Sequence, residues 1–311
     1  MLSGGLGGIR QNGRVNPDDL TSLLPDVIAA HWALTGVHVD PIGQTDATIT
    51  ADVASDQGQW VATLVPADGG DALFAGTLAT AALAGSGVRV GAALTTTDGR
   101  TVVDVADGTL ALLEPVPGRP LTASADDQAL MGDILGRVHR AGLADDETES
   151  AFFSWLAPAD PGLQAELWVA RAVAAALIGY KDAEASLTFG YVHCDPSPGT
   201  FRIDADGTPG LADWSGAEVG PLLYDVATAA SHLGRRPDAQ PFLEAYLASG
   251  VMGREELETH LDALLVYRWA VQAAYWSFRI LTADPSGKQR SETDIAGLEH
   301  AHQELLALGV D

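Results

Sequence analysis

The sequence contains few cations, and lysine is the scarcer of the two basic residues. Its 311 residues include 17 Lys and Arg against 42 Asp and Glu, which gives a formal net charge of −25 at pH 7. Only Lys181 and Lys288 are lysines, so the first 180 residues contain none. Proteins that bind nucleic acid or anionic membranes need cationic surface to neutralise phosphates, so this composition argues against both partners.

Cysteine and long apolar runs are also scarce. Cys194 is the only cysteine, so neither an internal disulfide nor a cysteine-based metal cage can form, and we expect Cys194 to serve packing. No uninterrupted apolar run reaches the roughly 18 residues that a membrane-spanning helix needs. The first residues lack the apolar core of a signal peptide. We therefore expect a cytoplasmic protein.

Apolar residues nevertheless make up 47% of the chain, which is ample for a folded core, and their pattern changes along its length. Short alternating segments predict strands up to about residue 121, and helical periods dominate from Ser124 onward. The first part is predicted to contain a hairpin over 47–53 and 59–65, a helix over 71–87 and three strands over 89–116. Helices are predicted over 125–142, 161–180, 217–232, 238–248, 254–281 and 291–308.

This order of elements predicts an α+β fold with a small antiparallel-sheet lobe followed by a larger, mainly helical lobe. We assign residues 1–34 to an N-terminal segment with a helix, 35–116 to the sheet lobe and 117–311 to the helical lobe. The stretch 114–121 holds three prolines in eight residues, which is typical of a hinge between lobes.

The segment 191–215 contains the residues with the clearest chemistry. His193 and Asp195 precede an Asp-Gly turn, and Asp213 follows it. At the two ends of a hairpin, Asp195 and Asp213 can converge, one orienting a nucleophilic hydroxyl and the other holding a metal cation. Taken singly, each Asp is more typical of a turn in which the side chain caps backbone amides.

These blocks resemble the aminoglycoside phosphotransferase-like kinases, a branch of the protein-kinase-like fold. VHCDPSPGTFRID is similar to the catalytic loop of that family, in which Asn follows the Asp of His-x-Asp by five residues. GLADWSGAEVGPLLYDVA is similar to its metal-binding Asp and the helix with a structural Asp, here Asp225. LALLEPVPGRPL is similar to the hinge that meets adenine. The resemblance covers about residues 35–285 and implies a bilobal protein-kinase-like fold with its cleft near the hinge.

The resemblance implies phosphorylation of a hydroxyl group with ATP, or GTP, and Mg²⁺. Asp195 would orient the acceptor hydroxyl, His193 would brace the catalytic loop, and Asp213 would hold Mg²⁺ on the nucleotide phosphates. The acceptor would be an aminoglycoside, another sugar-like metabolite or a peptide antibiotic. The other implied nucleotide contacts are a turn over the phosphates, with Gln44 and Thr45, and the hinge backbone at Glu114 and Val116.

Three positions depart from the family pattern. The second metal ligand, Asn in the family, falls at Thr200, whose hydroxyl can still ligate Mg²⁺. The phosphate-binding Lys falls at about Thr63. Its acidic partner would fall near Gly76 or Thr77, and no acid occurs over 72–97. The joint loss is physically coherent, because one buried charge left without its partner destabilises the fold strongly.

Two interpretations of this loss remain open. A divergent kinase could neutralise the phosphates with Arg89, Arg100 or a second metal. A pseudokinase could keep the fold to bind a ligand or a partner protein, including as one subunit of a biosynthetic enzyme pair. Retention of Asp195 and Asp213 favours the first, and the loss of Lys, its acidic partner and Asn favours the second.

Aromatic residues recur at helical spacing in the predicted helix over 254–281. Such a stripe is more typical of a core, although it can also form a wall of the acceptor pocket. The residues concerned are Tyr267, Trp269, Tyr275, Trp276 and Phe278, with His232, Glu218 and Asp284 as further candidates for that pocket.

Overall fold

The structure is a computed structural model. It describes residues 10–11, 14–15, 17–44, 48–105, 108–144, 152–153, 156, 166–283 and 291–310. The chain forms two compact units, one of Met1–Pro120 with Gly199–Ala217 and the other of Leu121–Pro198 with Glu218–Asp311.

Among the described residues, the first unit contains ten of the strands and two α-helices. In chain order the first eight of these strands are β1 (Arg10–Gln11), β2 (Arg14–Val15), β3 (His38–Gln44), β4 (Ile49–Ser55), β5 (Gly58–Val65), β6 (Val103–Val105), β7 (Gly108–Leu113) and β8 (Arg119–Pro120). The next strand, β9 (Phe189–Val192), belongs to the second unit. The last two strands of the first unit are β10 (Phe201–Ile203) and β11 (Pro209–Leu211). The helices are α1 (Pro17–Trp32) and α2 (Gly70–Ala82).

A five-stranded antiparallel sheet with the order β3-β4-β5-β7-β6 forms the centre of the first unit. In β4 the apolar side chains of Ile49, Ala51 and Val53 are buried, and the residues between them are more exposed. This period of two gives the sheet one apolar face, on which Ile28 and Trp32 of α1 pack. The predicted hairpin over 47–53 and 59–65 is confirmed as β4 and β5.

Three strands are predicted over 89–116, and the prediction of the first of them is wrong. In this described stretch only isolated bridges form, Arg89 with Gly210 and Ala93 with Leu113. Beyond them the chain turns, and the Thr96 hydroxyl accepts a hydrogen bond from the Arg100 N–H at 2.8 Å. Side-chain bonds of this kind compete with a β ladder for the backbone, so the strand does not extend.

Residues 199–217 pack with the first unit, whereas the sequence-based assignment placed them in the helical lobe. The physical reason is strand pairing, because β10 pairs with both β11 and β8 in a three-stranded antiparallel sheet. The backbone of Arg89 adds two further hydrogen bonds, both 2.9 Å long. Its N–H donates to Pro209 O, and its carbonyl accepts the Leu211 N–H.

The second unit is mainly helical. Its helices are α3 (Ala125–Ala141), α4 (Leu167–Ala183), α5 (Leu222–Leu233), α6 (Gln240–Ala248), α7 (Arg254–Ala283) and α8 (Glu292–Ala307), and β9 pairs with β12 (Glu218–Pro221). The helix predicted over 217–232 begins only at Leu222, because the residues before it form β12. Acidic residues open α3 behind the N-cap Ser124, and basic residues close it, as its sequence predicts.

The aromatic stripe of α7 divides between core and surface. Tyr267 is buried and stacks on Phe152, whereas Tyr275 and Phe278 are exposed. In the described residues, none of the helices combines the length and the apolarity that crossing a membrane requires. The predicted α+β fold, with an antiparallel-sheet unit and a helical unit, is confirmed.

Candidate functional site

A cavity of about 560 Å³ lies within the first unit. Its wall includes residues of β5, α2, the hinge and the segment after β11, and four of the predicted nucleotide and metal contacts lie on it. These are Thr63, Glu114, Val116 and Asp213.

The hinge backbone is held along this cavity by close packing. The Glu114 N–H donates to Ala92 O at 2.9 Å. Val116 lies against two glycines, since a Cβ added to Gly210 would be 2.4 Å from one Val116 methyl and a Cβ added to Gly91 would be 3.3 Å from the other. Gly91 also has a φ of +70°, a conformation that glycine adopts without strain. The hinge is therefore fixed in place beside the cavity.

Asp213 follows β11 and presents an exposed carboxylate to the cavity. Its φ of +69° is unusual for a residue with a side chain. The Ser215 hydroxyl donates to Asp213 Oδ1 at 2.8 Å. The next residue, Trp214, anchors the segment, because its ring is buried and its Nε1 donates to Leu211 O at 2.8 Å.

Thr200, the second metal ligand suggested by the sequence, lies in the same β10–β11 hairpin as Asp213. Its carbonyl accepts the Ala212 N–H at 3.0 Å, which places Thr200 across the hairpin from the residue before Asp213. Carboxylate and hydroxyl oxygens are hard donors that suit Mg²⁺. In the described part of the chain no three His, Cys, Asp or Glu side chains form a metal cluster, so a cation here would also need oxygens from water or a bound phosphate.

Two of the positions at which the resemblance placed the family's ion pair carry buried neutral hydroxyls. Thr63 on β5 is buried beside the cavity, where the family's lysine was expected. Thr77 on α2 is buried too, and its hydroxyl lies 2.7 Å from the Thr101 hydroxyl and donates to Phe74 O at 2.7 Å.

Gly76 explains why α2 carries no acidic side chain at this point. A Cβ at Gly76 would lie 2.2 Å from Trp214 O and 2.9 Å from its carbonyl carbon. The helix therefore packs backbone to backbone on the segment that carries Asp213, and no side chain fits between them.

Neither arginine considered as a replacement for the lysine lies among the residues that line the cavity. Arg89 pairs with Asp204 at 2.5 Å, and Arg100 pairs with Asp98 at 2.9 Å. Both cations are thus already engaged with a carboxylate in this structure.

In the second unit, Asp195 is an exposed carboxylate held by two basic side chains. Arg268 Nη2 donates to Asp195 Oδ1 at 2.8 Å, and His232 Nε2 lies 3.2 Å from the same oxygen. Partial burial raises the pKa of Asp195, but the hydrogen bond from His232 and the charge of Arg268 outweigh it and lower the pKa to about 2. Asp195 is therefore ionised and fixed in orientation at neutral pH.

The loop before Asp195 is fixed from beneath by Asp225, whose side chain is fully buried. Its two oxygens accept the N–H groups of His193 at 2.6 Å and Cys194 at 2.8 Å. Oδ2 also lies 3.1 Å from His139 Nε2. Cys194 has a φ of +70°, so the loop is held in a conformation that a cysteine rarely adopts.

His193 and Cys194 are buried within this loop. His193 Nδ1 accepts the Asp195 N–H at 3.3 Å. Burial raises the pKa of the Cys194 thiol well above its usual value, so this residue is not a reactive thiolate.

Several predicted residues do not lie in either cluster. Glu218 accepts the Phe153 N–H at 2.8 Å within the second unit. Gln44 is the last residue of β3, and Thr45 and Asp284 lie outside the described residues.

Sequence reasoning missed the roles of Arg268, His139 and Gly76. Arg268 had a detectable signal, because it is a lone cation in an apolar stretch of α7. His139 and Gly76 had none, since their contacts depend on chain segments far away in sequence.

Comparisons with known proteins agree with this architecture. No curated protein matches the sequence. The choline kinase LicA from Streptococcus pneumoniae is 13% identical with a TM-score of 0.65, over 93% of this chain and 99% of that one. Spectinomycin phosphotransferase APH(9)-Ia, solved with ADP and spectinomycin, is 12% identical with a TM-score of 0.63, over 93% and 98%.

A microcompartment-associated aminopropanol kinase is 18% identical with a TM-score of 0.62, over 93% of this chain and 99% of that chain. These identities are low, so the likeness establishes a shared fold. The sequence itself carries the assignment further, because the profile of the phosphotransferase enzyme family (APH) matches residues 41–260, more than half of the chain, and the protein therefore belongs to that family.

Proposed function

We propose that this protein transfers a phosphoryl group from ATP, or GTP, to a hydroxyl of a small molecule, with Mg²⁺ as cofactor. The observation that carries the proposal is the state of Asp195, an exposed carboxylate kept ionised and oriented by Arg268 and His232. A fixed carboxylate at a surface can orient an acceptor hydroxyl, and positioning supplies much of the catalysis of phosphoryl transfer.

The cavity of the first unit supports the nucleotide half of the proposal. Glu114 and Val116 lie along its wall, and in the described part of the chain neither the Glu114 carbonyl nor the Val116 N–H has a backbone partner. Such a free acceptor and donor fit the edge of a purine base. Two structures of similar fold were solved with ADP and with AMP, which also supports adenine nucleotides as ligands.

Asp213 and Thr200 are the residues that would hold Mg²⁺. When bound, the cation neutralises charge on the phosphates. Asp213 offers a carboxylate for the cation, and its Oδ1 also accepts a hydrogen bond from the Ser215 hydroxyl. One or two protein oxygens are sufficient, because Mg²⁺ keeps several water or phosphate ligands in sites of this kind.

The proposed reaction forms a bond from the acceptor oxygen to the γ-phosphorus and breaks the bond from that phosphorus to the bridging oxygen. The nucleoside diphosphate leaves with the electron pair, and the hydroxyl proton passes to Asp195 and then to water. A carboxylate with a pKa of about 2 is a weak base, so its main contribution is to orient the hydroxyl before the transfer.

An acceptor panel tests this function. Release of nucleoside diphosphate and formation of a phosphate ester, followed by phosphorus NMR, would be measured with aminoglycosides, sugar-like alcohols and hydroxyl-bearing peptide antibiotics. We expect turnover with at least one class, and a loss of about 100-fold or more in Asp195→Asn. Asp133→Asn, an exposed carboxylate on α3, is the matched control and should keep full activity.

A second candidate function is a pseudokinase that binds a ligand or a partner protein, with or without nucleotide. It is favoured by Thr63, because no described residue on the cavity wall is a cation that could take the place of the lysine. Mg-ATP binding seen as a rise in melting temperature, with no turnover on any acceptor, would support it. Turnover that depends on Asp195 would exclude it.

A further inference from the structure

The charge on the cavity wall of the first unit has one sign. Among the described residues that line the cavity, Glu114 and Asp213 are the only ones with ionisable side chains, and both are acids. Five others are threonines, and the remainder of the wall is mostly apolar. No lysine occurs in the sequence before Lys181, so none of the residues 1–120 or 199–217 can supply one.

Two of the threonine hydroxyls of the wall form hydrogen bonds within α2. Thr77 and Thr80 are buried, and their hydroxyls donate to Phe74 O at 2.7 Å and to Thr77 O at 3.0 Å. Gly76 meets the Trp214 carbonyl so closely that α2 cannot bring in a charged side chain at this point. The subsite that a triphosphate would occupy is thus lined by hydroxyls and one carboxylate.

We propose that this cavity is a nucleoside site. Its affinity comes from the base and the ribose, and the phosphate chain weakens binding unless a divalent cation accompanies it. The proposal rests on the proposed function in that it concerns the same nucleotide site. It goes beyond the proposed function in the role that it assigns to the protein. The protein binds the base and the ribose, and the divalent cation neutralises the charge of the phosphates.

The physical reason is Coulombic. Asp213 is a carboxylate on the wall, so each added phosphate brings negative charge towards negative charge in a partly enclosed space. A lysine at Thr63 would place one cation on this wall and offset part of its negative charge. A charge-assisted hydrogen bond of that kind changes affinity by about tenfold or more.

Calorimetric titration of the wild-type chain in EDTA, with adenosine, AMP and ATP as probes, is the first experiment. We expect the dissociation constant to increase in the order adenosine, AMP, ATP. Added NaCl should narrow the gap between adenosine and ATP, because salt screens repulsion between like charges. A cationic phosphate site would give the opposite order and the opposite salt dependence.

Three variants sharpen the result. Thr63→Lys should improve ATP binding in EDTA by about tenfold relative to adenosine. Gln59→Lys adds the same charge at an exposed position of the same strand, outside the cavity wall, and should leave the ratio unchanged. Asp213→Asn removes the repelling charge from an exposed position and should tighten the binding of ATP but not that of adenosine. Because this position is exposed, the variant still tests the inference if the buried lysine of Thr63→Lys prevents folding.

The possible failures are distinguishable. ATP binding that is as tight as or tighter than adenosine binding in EDTA overturns the inference and leaves the proposed phosphotransferase intact. Absence of binding by adenosine, AMP and ATP, with and without Mg²⁺, overturns the inference and the nucleotide-dependent function together.

Discussion

The two carboxylates singled out by the sequence have opposite surroundings. Asp195, in the second unit, lies against Arg268 and His232, and its pKa is lowered to about 2. Asp213, in the first unit, accepts a hydrogen bond from the neutral Ser215 hydroxyl and lies on a cavity wall whose described residues include no cation.

This difference in surroundings shows whether each unit supplies its own positive charge beside its carboxylate. The second unit holds its carboxylate with the Arg268 guanidinium and the His232 ring, so Asp195 is oriented before any ligand arrives. On the described part of the cavity wall in the first unit no cation accompanies Asp213, so the proposed nucleotide site depends on a cation that arrives with the ligand. The two units also anchor their carboxylates differently, one by a buried hydrogen-bond network around Asp225 and the other by close backbone packing at Gly76.

The largest effect is expected from Asp225→Ala, which removes the anchor of the second unit. Asp225 holds the N–H groups of His193 and Cys194 and contacts His139, all of them buried. We expect a loss of about 3–5 kcal/mol in the free energy of unfolding, measured by urea denaturation. Asp262→Ala, an exposed carboxylate 3.8 Å from Arg236, is the control and should cost about 1 kcal/mol or less. Equal losses in both variants would contradict the anchoring role of Asp225.

Gly76→Ala tests the anchor of the first unit. The new methyl would overlap Trp214 O, so α2 or the Asp213 segment must move. Overpacking of this kind costs about 1–3 kcal/mol, and chemical denaturation measures it. Gly85→Ala is the matched control because a Cβ there meets nothing within 4 Å, so it should be neutral or slightly stabilising. A Gly76→Ala variant as stable as Gly85→Ala would show that the close contact is not formed.

Arg268→Gln would make the surroundings of Asp195 more like those of Asp213. Without the guanidinium, the pKa of Asp195 should rise from about 2 towards the ordinary aspartate value of about 3.9. A lowered pKa favours the folded state above the unfolded-state value, and this contribution is lost as the pH falls towards 2. The variant should lose that acid-range slope of stability.

Carboxyl carbon NMR of Asp195 measures this titration directly. Arg254→Gln, on the same helix and paired with Glu244 at the surface, should leave the Asp195 titration unchanged. An unaltered Asp195 pKa in Arg268→Gln would show that the ion pair does not contribute to the shift and that the hydrogen bond from His232 is sufficient for it.

The smallest effect is expected from the buried hydroxyl of Thr77, one of the positions at which the resemblance placed the family's ion pair. Thr77→Val removes the bond to Thr101 at 2.7 Å and should cost about 1 kcal/mol. A double-mutant cycle with Thr101→Val isolates the coupling, which should be at least about 0.5 kcal/mol. A coupling of zero would indicate that the two hydroxyls do not interact in solution.

Local patterns were sufficient for most of the fold. The alternation over 49–55 and 58–65 predicts the β4–β5 hairpin, and the capped helix over 125–142 matches α3 to within one residue. Prediction failed over 89–102, where side-chain hydrogen bonds at Thr96 replace a ladder, and at 218–221, where a strand precedes α5. Both failures arise because competing hydrogen bonds decide the backbone.

The scarcity of lysine and the loss of an acid near Gly76 were readable from the chain, and so were the motif positions of Asp195 and Asp213. The lysine count depends only on composition, and the other features rest on the resemblance of the sequence motifs to those of the family. Tertiary structure decided that Arg89 and Arg100 pair with carboxylates outside the cavity wall, that Gly76 packs directly on the Trp214 carbonyl, and that Arg268 holds Asp195. The physical reason is that charge balance at a site depends on which distant segments pack together, and a linear pattern does not contain that information.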